Sequence, residues 1–103
     1  MYIVKTEEEY DQILKDNASV FVDFYADWCG PCKMVGPLVE QLADENKDVC
    51  FIKVNVDDLP EVAGRYGIMS IPTMISFKNG EQAANTLGFQ PKEALYRLVE
   101  AAR

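Results

Sequence analysis

The sequence predicts an α/β protein with a mixed central sheet that helices cover. Two apolar, β-branched stretches have the composition of strands buried on both faces, and a segment with helical periodicity separates them. Later in the chain an Asn-Gly pair between two strand-like runs predicts an antiparallel hairpin. The 103 residues are 49% hydrophobic, enough for one packed core, and we expect residues 1–103 to form a single domain.

The chain begins with a predicted strand, helix and strand. Tyr2–Val4 is a short candidate strand. The sequence TEEE at Thr6–Glu9 is a capping box, and it predicts a helix that ends near Lys15. The stretch SVFVDFYA at Ser19–Ala26 is the first of the two buried strands, and Asp23 is the one charged residue inside it.

A helix and the second buried strand follow. After Cys32 the apolar residues recur at helical spacing, which predicts a helix to about Glu45. Because the periodicity continues on both sides of Pro37, we expect a kink there and not an end. The stretch VCFIKVNV at Val49–Val56 has the composition of a second buried strand, again with one interior charge, Lys53.

The last third of the chain predicts a short helix, a hairpin and a final helix. The stretch DDLPEVAGRYG offers an Asp cap, a proline near the first helical position and Gly67 as a stop. The hairpin turn is Asn79-Gly80, and Pro91 opens the final helix. The order is β-α-β-α-β-α-β-β-α, so we expect parallel central strands, an antiparallel edge pair and covering helices.

Composition excludes several classes of function. Seventeen acidic against ten basic residues give a formal charge of -7, which disfavours nucleic acid as a partner. We find no signal-peptide pattern and no apolar run near the roughly 18 to 20 residues that span a bilayer. We therefore expect a cytoplasmic monomer that binds neither membrane nor nucleic acid.

The sequence WCGPC places two cysteines where a buried strand gives way to a helix. Cys29 is at the junction, where the positive end of the helix dipole favours a thiolate. Cys32 is one turn later, and such a pair has Cα atoms about 5 to 6 Å apart, within disulfide range. Gly30 leaves the approach to sulfur open, and Pro31 stiffens the loop.

Three interpretations of this pair compete: a structural crosslink, half of a metal site, or a reversible redox couple. A zinc site needs further ligands, but the chain offers only Cys50 and contains no histidine. A crosslink between Cys29 and Cys32 would close too small a loop to stabilise much. These points favour redox exchange, and we predict no metal site.

Asp23, Lys53 and Trp28 are the other candidate site residues. Burial should raise the pKa of the Asp23 carboxyl toward neutrality, and parallel pairing of the two strands would bring Lys53 close to it. The two form either a structural ion pair or a site where Asp23 accepts the proton of Cys32. Trp28 either contacts a substrate chain or packs partly on the core, and the sequence leaves both interpretations open.

A series of landmarks along the chain carries a family resemblance. WCGPC follows VDFYAD, Pro37 lies in the next helix, and KVNVDD, IPT, FKNGE and Gly88 follow in order. With these motifs in this spacing, the chain resembles the thioredoxins over essentially its whole length.

The resemblance implies the thioredoxin fold, a central five-stranded mixed β-sheet flanked by four α-helices. It implies that Ile71-Pro72, within SIPT, is a cis peptide facing the dithiol, which spacing alone does not decide. The Ile71 backbone would then be free to pair with an extended substrate strand. It also implies a substrate groove bordered by Trp28, Gly30, Pro31, Ile71, Pro72 and Gly88.

The function that follows as an expectation is a protein-disulfide reductase, a thioredoxin-type electron carrier in cell redox homeostasis. Cys29 attacks a disulfide of a protein substrate, and Cys32, deprotonated with the help of Asp23, resolves the mixed disulfide. A thioredoxin reductase restores the dithiol, and the chain itself needs no cofactor. An oxidase or isomerase, and a scaffold that uses the groove without turnover, are the alternatives. Relatives of the oxidase type commonly have histidine where Pro31 stands here.

Three residues outside WCGPC, namely Tyr25, Phe89 and Cys50, are also relevant to partner choice or to regulation. Tyr25 stands where the family often has tryptophan, and Phe89 follows Gly88 where a small residue is common. A bulkier groove rim is expected to narrow or shift partner choice. Cys50 is interpreted as a small buried hydrophobic residue on its strand, with a regulatory thiol as the alternative.

Overall fold

In the computed structural model, which describes residues 1–103, a five-stranded sheet carries two helices on each face. The strands are β1 (Tyr2–Ile3), β2 (Ser19–Tyr25), β3 (Cys50–Asn55), β4 (Thr73–Lys78) and β5 (Glu81–Leu87). The helices are α1 (Glu7–Asp16), α2 (Gly30–Glu45), α3 (Pro60–Arg65) and α4 (Lys92–Ala102). The predicted α/β architecture is confirmed.

The strands are arranged in the order β1-β3-β2-β4-β5. Strands β1, β3 and β2 are parallel, whereas β4 is antiparallel to both β2 and β5. Parallel pairing inside the sheet and an antiparallel pair at one edge are therefore both confirmed. This order places β2 in the centre of the sheet, and β2 leads directly into the cysteine motif.

Alternation along β2 divides the core into two layers. Val20, Val22 and Phe24 pack in the cluster that includes residues of α1 and α3. Phe21 faces the other way, into the cluster formed with α2 and α4. Because side chains alternate along a strand, Asp23 lies on the same side as Phe21, beneath α2. The Asp23 carboxyl group therefore lies on the face of the sheet that is covered by α2, the helix that carries Cys32.

Helix α1 begins with half of the predicted capping box. The Thr6 hydroxyl accepts the backbone N–H of Glu9 at 3.1 Å, as expected. The Glu9 carboxylate does not return to the Thr6 N–H: it accepts the N–H of Lys5 at 2.7 Å and the hydroxyl of Tyr2. The reciprocal half of the box was wrongly predicted, because β1 offers the carboxylate a second donor nearby.

Helix α3 begins without the predicted aspartate cap. Leu59 is the N-cap residue and makes no side-chain capping bond, and Pro60 is the first helical residue. The Asn55 side chain instead accepts the N–H groups of Asp57 and Asp58, at 2.9 and 3.4 Å. The cap prediction was wrong because the end of β3 organises this turn before the helix starts.

The hairpin between β4 and β5 turns at Asn79-Gly80, as predicted. The two residues have φ angles of 53° and 83°. Both angles lie in the left-handed region that a tight two-residue hairpin requires, and asparagine and glycine tolerate it best.

Helix α2 is the longest helix, with 16 residues, and it is continuous through Pro37. It follows β2 closely, so its N-terminus lies at the carboxyl end of the central strand. None of the four helices combines the length and the apolar character that crossing a membrane would need.

Candidate active site

Cys29 occupies the N-cap position of α2. Its backbone is extended, with φ of -88° and ψ of 111°, and its Sγ accepts the backbone N–H of Cys32 at 3.2 Å. In most helices a serine, threonine or aspartate oxygen makes this contact. A sulfur in this place lies at the positive end of the helix dipole, so a negative charge on Cys29 is stabilised.

Cys29 and Cys32 are joined as a disulfide in this structure. Their Cα atoms are 5.3 Å apart, within the separation predicted from one helical turn. Both residues are buried, with 4% and 7% of their surface exposed. The overall exposure of the two residues therefore does not distinguish them, but their positions on the helix do.

The segment around Ile71 faces the disulfide. Its carbonyl oxygen lies 3.7 Å from the Cys29 Sγ, and the Ile71-Pro72 peptide is cis, as the resemblance implies. No backbone hydrogen bond in the structure uses the N–H or the C=O of Ile71. The backbone N–H and C=O of Ile71 are therefore not used by the sheet, and the C=O lies beside the sulfur of Cys29.

Gly88 joins this segment from the end of β5. Its N–H donates to the Pro72 carbonyl at 2.7 Å, and its φ angle of 74° lies in the region that favours glycine. Pro72 itself is buried. Phe89, next in the chain, is 45% exposed.

Trp28 is exposed over 71% of its surface, which excludes the interpretation that it packs on the core. Its indole N–H donates to the carboxylate of Asp57 at 2.9 Å. Gly30 and Pro31 follow it and are exposed as well. Asp57 was missed by the sequence prediction, because nothing local marks an aspartate 29 positions away as the partner of this indole.

Asp23 is 1% exposed and pairs in register with Lys53 of β3. Burial raises the pKa of its carboxyl to about 6, and the positive charge of Lys53 acts in the opposite direction. One carboxylate oxygen, Oδ1, has no hydrogen-bond partner. An acid of this kind changes its protonation state close to neutral pH.

Lys53 forms no ion pair within 4.0 Å of Asp23, which argues against a direct structural ion pair. Its ammonium group lies over the ring of Tyr25, 4.3 Å from the ring centroid. Tyr25, Cys32 and Lys53 share the lining of a cavity of about 310 Å³. The sequence analysis identified Tyr25 only as a residue of the groove rim. Tyr25 follows Asp23 by two residues on β2, so the two side chains project from the same face of the sheet.

Cys50 lies on β3, opposite Val20 of β2, and is half-buried. Burial raises the pKa of its thiol, which disfavours the thiolate. Cys50 is less buried than the predicted small buried hydrophobic residue, but it packs against the core as such a side chain would.

A redox pair at a helix N-terminus, next to a free backbone edge and above a buried carboxyl group, defines the class of thiol–disulfide oxidoreductases. Comparison with known proteins gives the family. The Thioredoxin family model matches residues 1–101. The thioredoxin of Mycoplasmoides gallisepticum is 46% identical over 97 residues, covering 94% of this chain and 97% of the relative. The chain therefore belongs to the thioredoxin family.

Two further comparisons agree. The Bacillus subtilis thioredoxin is 45% identical over 100 residues, which is 96% of each chain. A structure of Plasmodium falciparum thioredoxin superposes with a TM-score of 0.91 at 40% identity, covering 97% of each chain. The protein is a protein-disulfide reductase that works by dithiol–disulfide exchange of the Cys29–Cys32 pair.

Proposed function

We propose that Cys29 is the nucleophile and Cys32 the resolving thiol when this protein reduces disulfides of other proteins. The observation that carries the assignment is the 3.2 Å contact from the Cys32 N–H to the Cys29 Sγ at the N-cap of α2. Only the sulfur of Cys29 takes this position, so the thiolate is stabilised there first.

In the first step the Cys29 thiolate attacks one sulfur of a substrate disulfide. A mixed disulfide forms, and the bonding electron pair of the old S–S bond leaves with the second substrate sulfur, which takes up a proton. In the second step the Cys32 thiolate attacks the Cys29 Sγ and expels the first substrate sulfur. Two electrons have then passed to the substrate, and the Cys29–Cys32 disulfide is the one present in this structure.

The second step requires that Cys32 lose its proton, and we assign Asp23 to accept it, directly or through water. The carboxyl lies on the face beneath α2, its pKa is about 6, and its Oδ1 has no partner. A base of this strength is ionised at neutral pH and protonated during exchange without great cost. Lys53 assists by opposing the effect of burial on the carboxyl.

The substrate is proposed to bind along the segments that meet at the disulfide. An extended chain would pair with the free N–H and C=O of Ile71, in the manner of an added strand. The exposed indole of Trp28 offers an apolar contact on the other side. The proposed groove consists of Trp28, Gly30, Pro31, Ile71, Pro72 and Gly88.

The partners implied are proteins that carry a disulfide and a thioredoxin reductase that returns the electrons. We place the exchange in the cytoplasm, where the chain would act as a monomer in cell redox homeostasis. The chemistry proposed for the chain uses only its own thiols, carboxyl and backbone.

Insulin reduction by dithiothreitol, followed as turbidity, tests this function. The wild type should accelerate precipitation, and variants with Cys29→Ser or Cys32→Ser should lose the acceleration. Cys50→Ser is the matched control, because that thiol lies outside the motif and should leave the rate unchanged. A wild-type rate no faster than dithiothreitol alone would overturn the proposal.

A further inference from the structure

Tyr25 and Lys53 are diagonal neighbours on one face of the sheet. Lys53 pairs in register with Asp23, and Tyr25 follows Asp23 by two residues on β2. Both side chains therefore project toward the side that α2 covers. The ammonium lies 4.3 Å from the ring centroid, within the roughly 6 Å over which a cation is attracted to an aromatic face.

Tyr25 also lies next to the cysteine motif. Tyr25 packs against the small buried cluster of Ala26, Cys29 and Cys32. The residue whose ring holds the lysine ammonium therefore belongs to the immediate surroundings of the redox pair. Tyr25, Cys32 and Lys53 also line one cavity of about 310 Å³, so the lysine and the second cysteine face the same space.

Other charges compete for the ammonium group. The carboxylates of Asp27 and Glu40 line the same cavity, as does the like-charged Lys33, and burial together with the negative charges of Asp27 and Asp58 raises the pKa of the Tyr25 hydroxyl. The antiparallel neighbour of Asp23 on β4 is Met74, which carries no charge. A lysine side chain has four flexible carbon–carbon bonds, so without the ring its ammonium would move toward the exposed carboxylates and away from Asp23.

We propose that Tyr25 is a positioning residue of the reductase: its ring holds the Lys53 ammonium at the cavity beside Cys32, and so sets the positive charge that Asp23 experiences while the mixed disulfide is resolved. This inference rests on the proposed function, because it assumes that Asp23 accepts the proton of Cys32. It assigns to Tyr25 a role that acts through Lys53 and not through direct contact with the reacting atoms.

The direction of the effect follows from charge. A positive group held near a buried carboxyl favours its ionised form. Loss of the ring releases Lys53, so Asp23 should stay protonated to a higher pH. Resolution of the mixed disulfide would then need a higher pH to reach the same rate.

The test is a cycle of variants read by carbon NMR titration of the Asp23 carboxyl. Tyr25→Leu should raise the apparent pKa of Asp23 by about half a pH unit or more. Tyr25→Phe keeps the ring and should titrate as the wild type does. Lys53→Met should raise the pKa as well, and adding Tyr25→Leu to Lys53→Met should change nothing further.

An equal shift from Tyr25→Leu with and without Lys53 would overturn the inference, since a role in packing alone does not depend on the lysine. So would the absence of any shift. If Tyr25→Leu does not fold, 3,4,5-trifluorophenylalanine at position 25 keeps the ring shape but weakens its attraction for a cation. It should shift the titration in the same direction, and a titration like that of Tyr25→Phe would overturn the inference.

A second readout separates this inference from the function on which it rests. In single-turnover assays Asp23→Asn should remove the pH dependence of mixed-disulfide resolution near neutrality. If it does not, the role of Asp23 is wrong. If it does, but the Tyr25 and Lys53 changes shift the rate profile independently, only the role of Tyr25 is wrong.

Discussion

The backbone N–H of Cys32 donates to the Sγ of Cys29 at 3.2 Å, so the first cysteine of the motif caps the helix that carries the second. The two cysteines differ little in residue exposure but clearly in their relation to the helix dipole. This asymmetry is enough to give two chemically similar residues different roles.

The first prediction concerns thiol reactivity in the reduced protein. Cys29 should be alkylated by limiting iodoacetamide at pH 7 at least about ten times faster than Cys32, because the thiolate is the reactive form. Mass spectrometry of the modified peptides measures the ratio. Equal labelling would mean that the helix N-terminus does not distinguish the two thiols.

The second prediction concerns stability and pH. The folded protein raises the pKa of Asp23 from its ordinary value of 3.8 to about 6. The folded state therefore holds this proton more tightly, and stability attributable to Asp23 is lost as pH rises from about 4 to about 6. At pH 7 the cost is on the order of 3 kcal/mol.

Asp23→Asn should remove this cost. The variant should be more stable than the wild type at pH 7 by up to about 3 kcal/mol, and the difference should vanish below about pH 4. Urea unfolding of both proteins across this range measures it. A variant less stable than the wild type at pH 7 would contradict the effect of burial.

Local signals in the sequence were sufficient for the fold and for the centre of the site. The buried strands, the hairpin at Asn79-Gly80 and the Cys29–Cys32 pair depend on residues close together in the chain. The register that sets Asp23 beside Lys53 followed from parallel pairing of two recognisable strands.

Contacts between distant side chains were not predictable in the same way. The bond from Trp28 to Asp57 and the stacking of Lys53 on Tyr25 depend on rotamers and on how loops meet. Two caps also differed, because Tyr2 and Lys5 offered the Glu9 carboxylate other donors. At the second cap the Asn55 side chain accepted the N–H of Asp57. Local rules fail where a neighbouring element supplies a competing hydrogen bond.

The third prediction concerns Trp28. Its side chain is mostly exposed, so Trp28→Ala should change the free energy of unfolding by less than about 0.5 kcal/mol. It should lower kcat/KM for insulin, because the groove loses its apolar rim. Tyr96→Ala is the control: Tyr96 is also exposed and lines a cavity with Glu45, at the end of α2 opposite to the cysteines, so this variant should leave kcat/KM unchanged. If the two variants have equal kcat/KM, Trp28 is not part of the substrate groove.

The fourth prediction compares two serines. The Ser76 hydroxyl is fully buried without a hydrogen-bond partner, whereas the Ser19 hydroxyl donates to the Ala102 carbonyl at 2.6 Å. Ser76→Ala should leave stability unchanged or raise it by up to about 1 kcal/mol, and Ser19→Ala should lower it by about 1 kcal/mol. Urea unfolding measures the stability of both variants. A larger loss of stability from Ser76→Ala than from Ser19→Ala would contradict the absence of a hydrogen-bond partner for the Ser76 hydroxyl.

The most direct test of the division of labour between the cysteines is capture of the mixed disulfide. Reduced Cys32→Ser and Cys29→Ser variants are mixed with a disulfide-bonded protein substrate, quenched with acid and analysed by intact mass spectrometry. With Cys29 as the nucleophile, the Cys32→Ser variant should accumulate a stable adduct through Cys29, and the Cys29→Ser variant should form little. Equal trapping by the two variants, or trapping mainly through Cys32, would contradict the assignment.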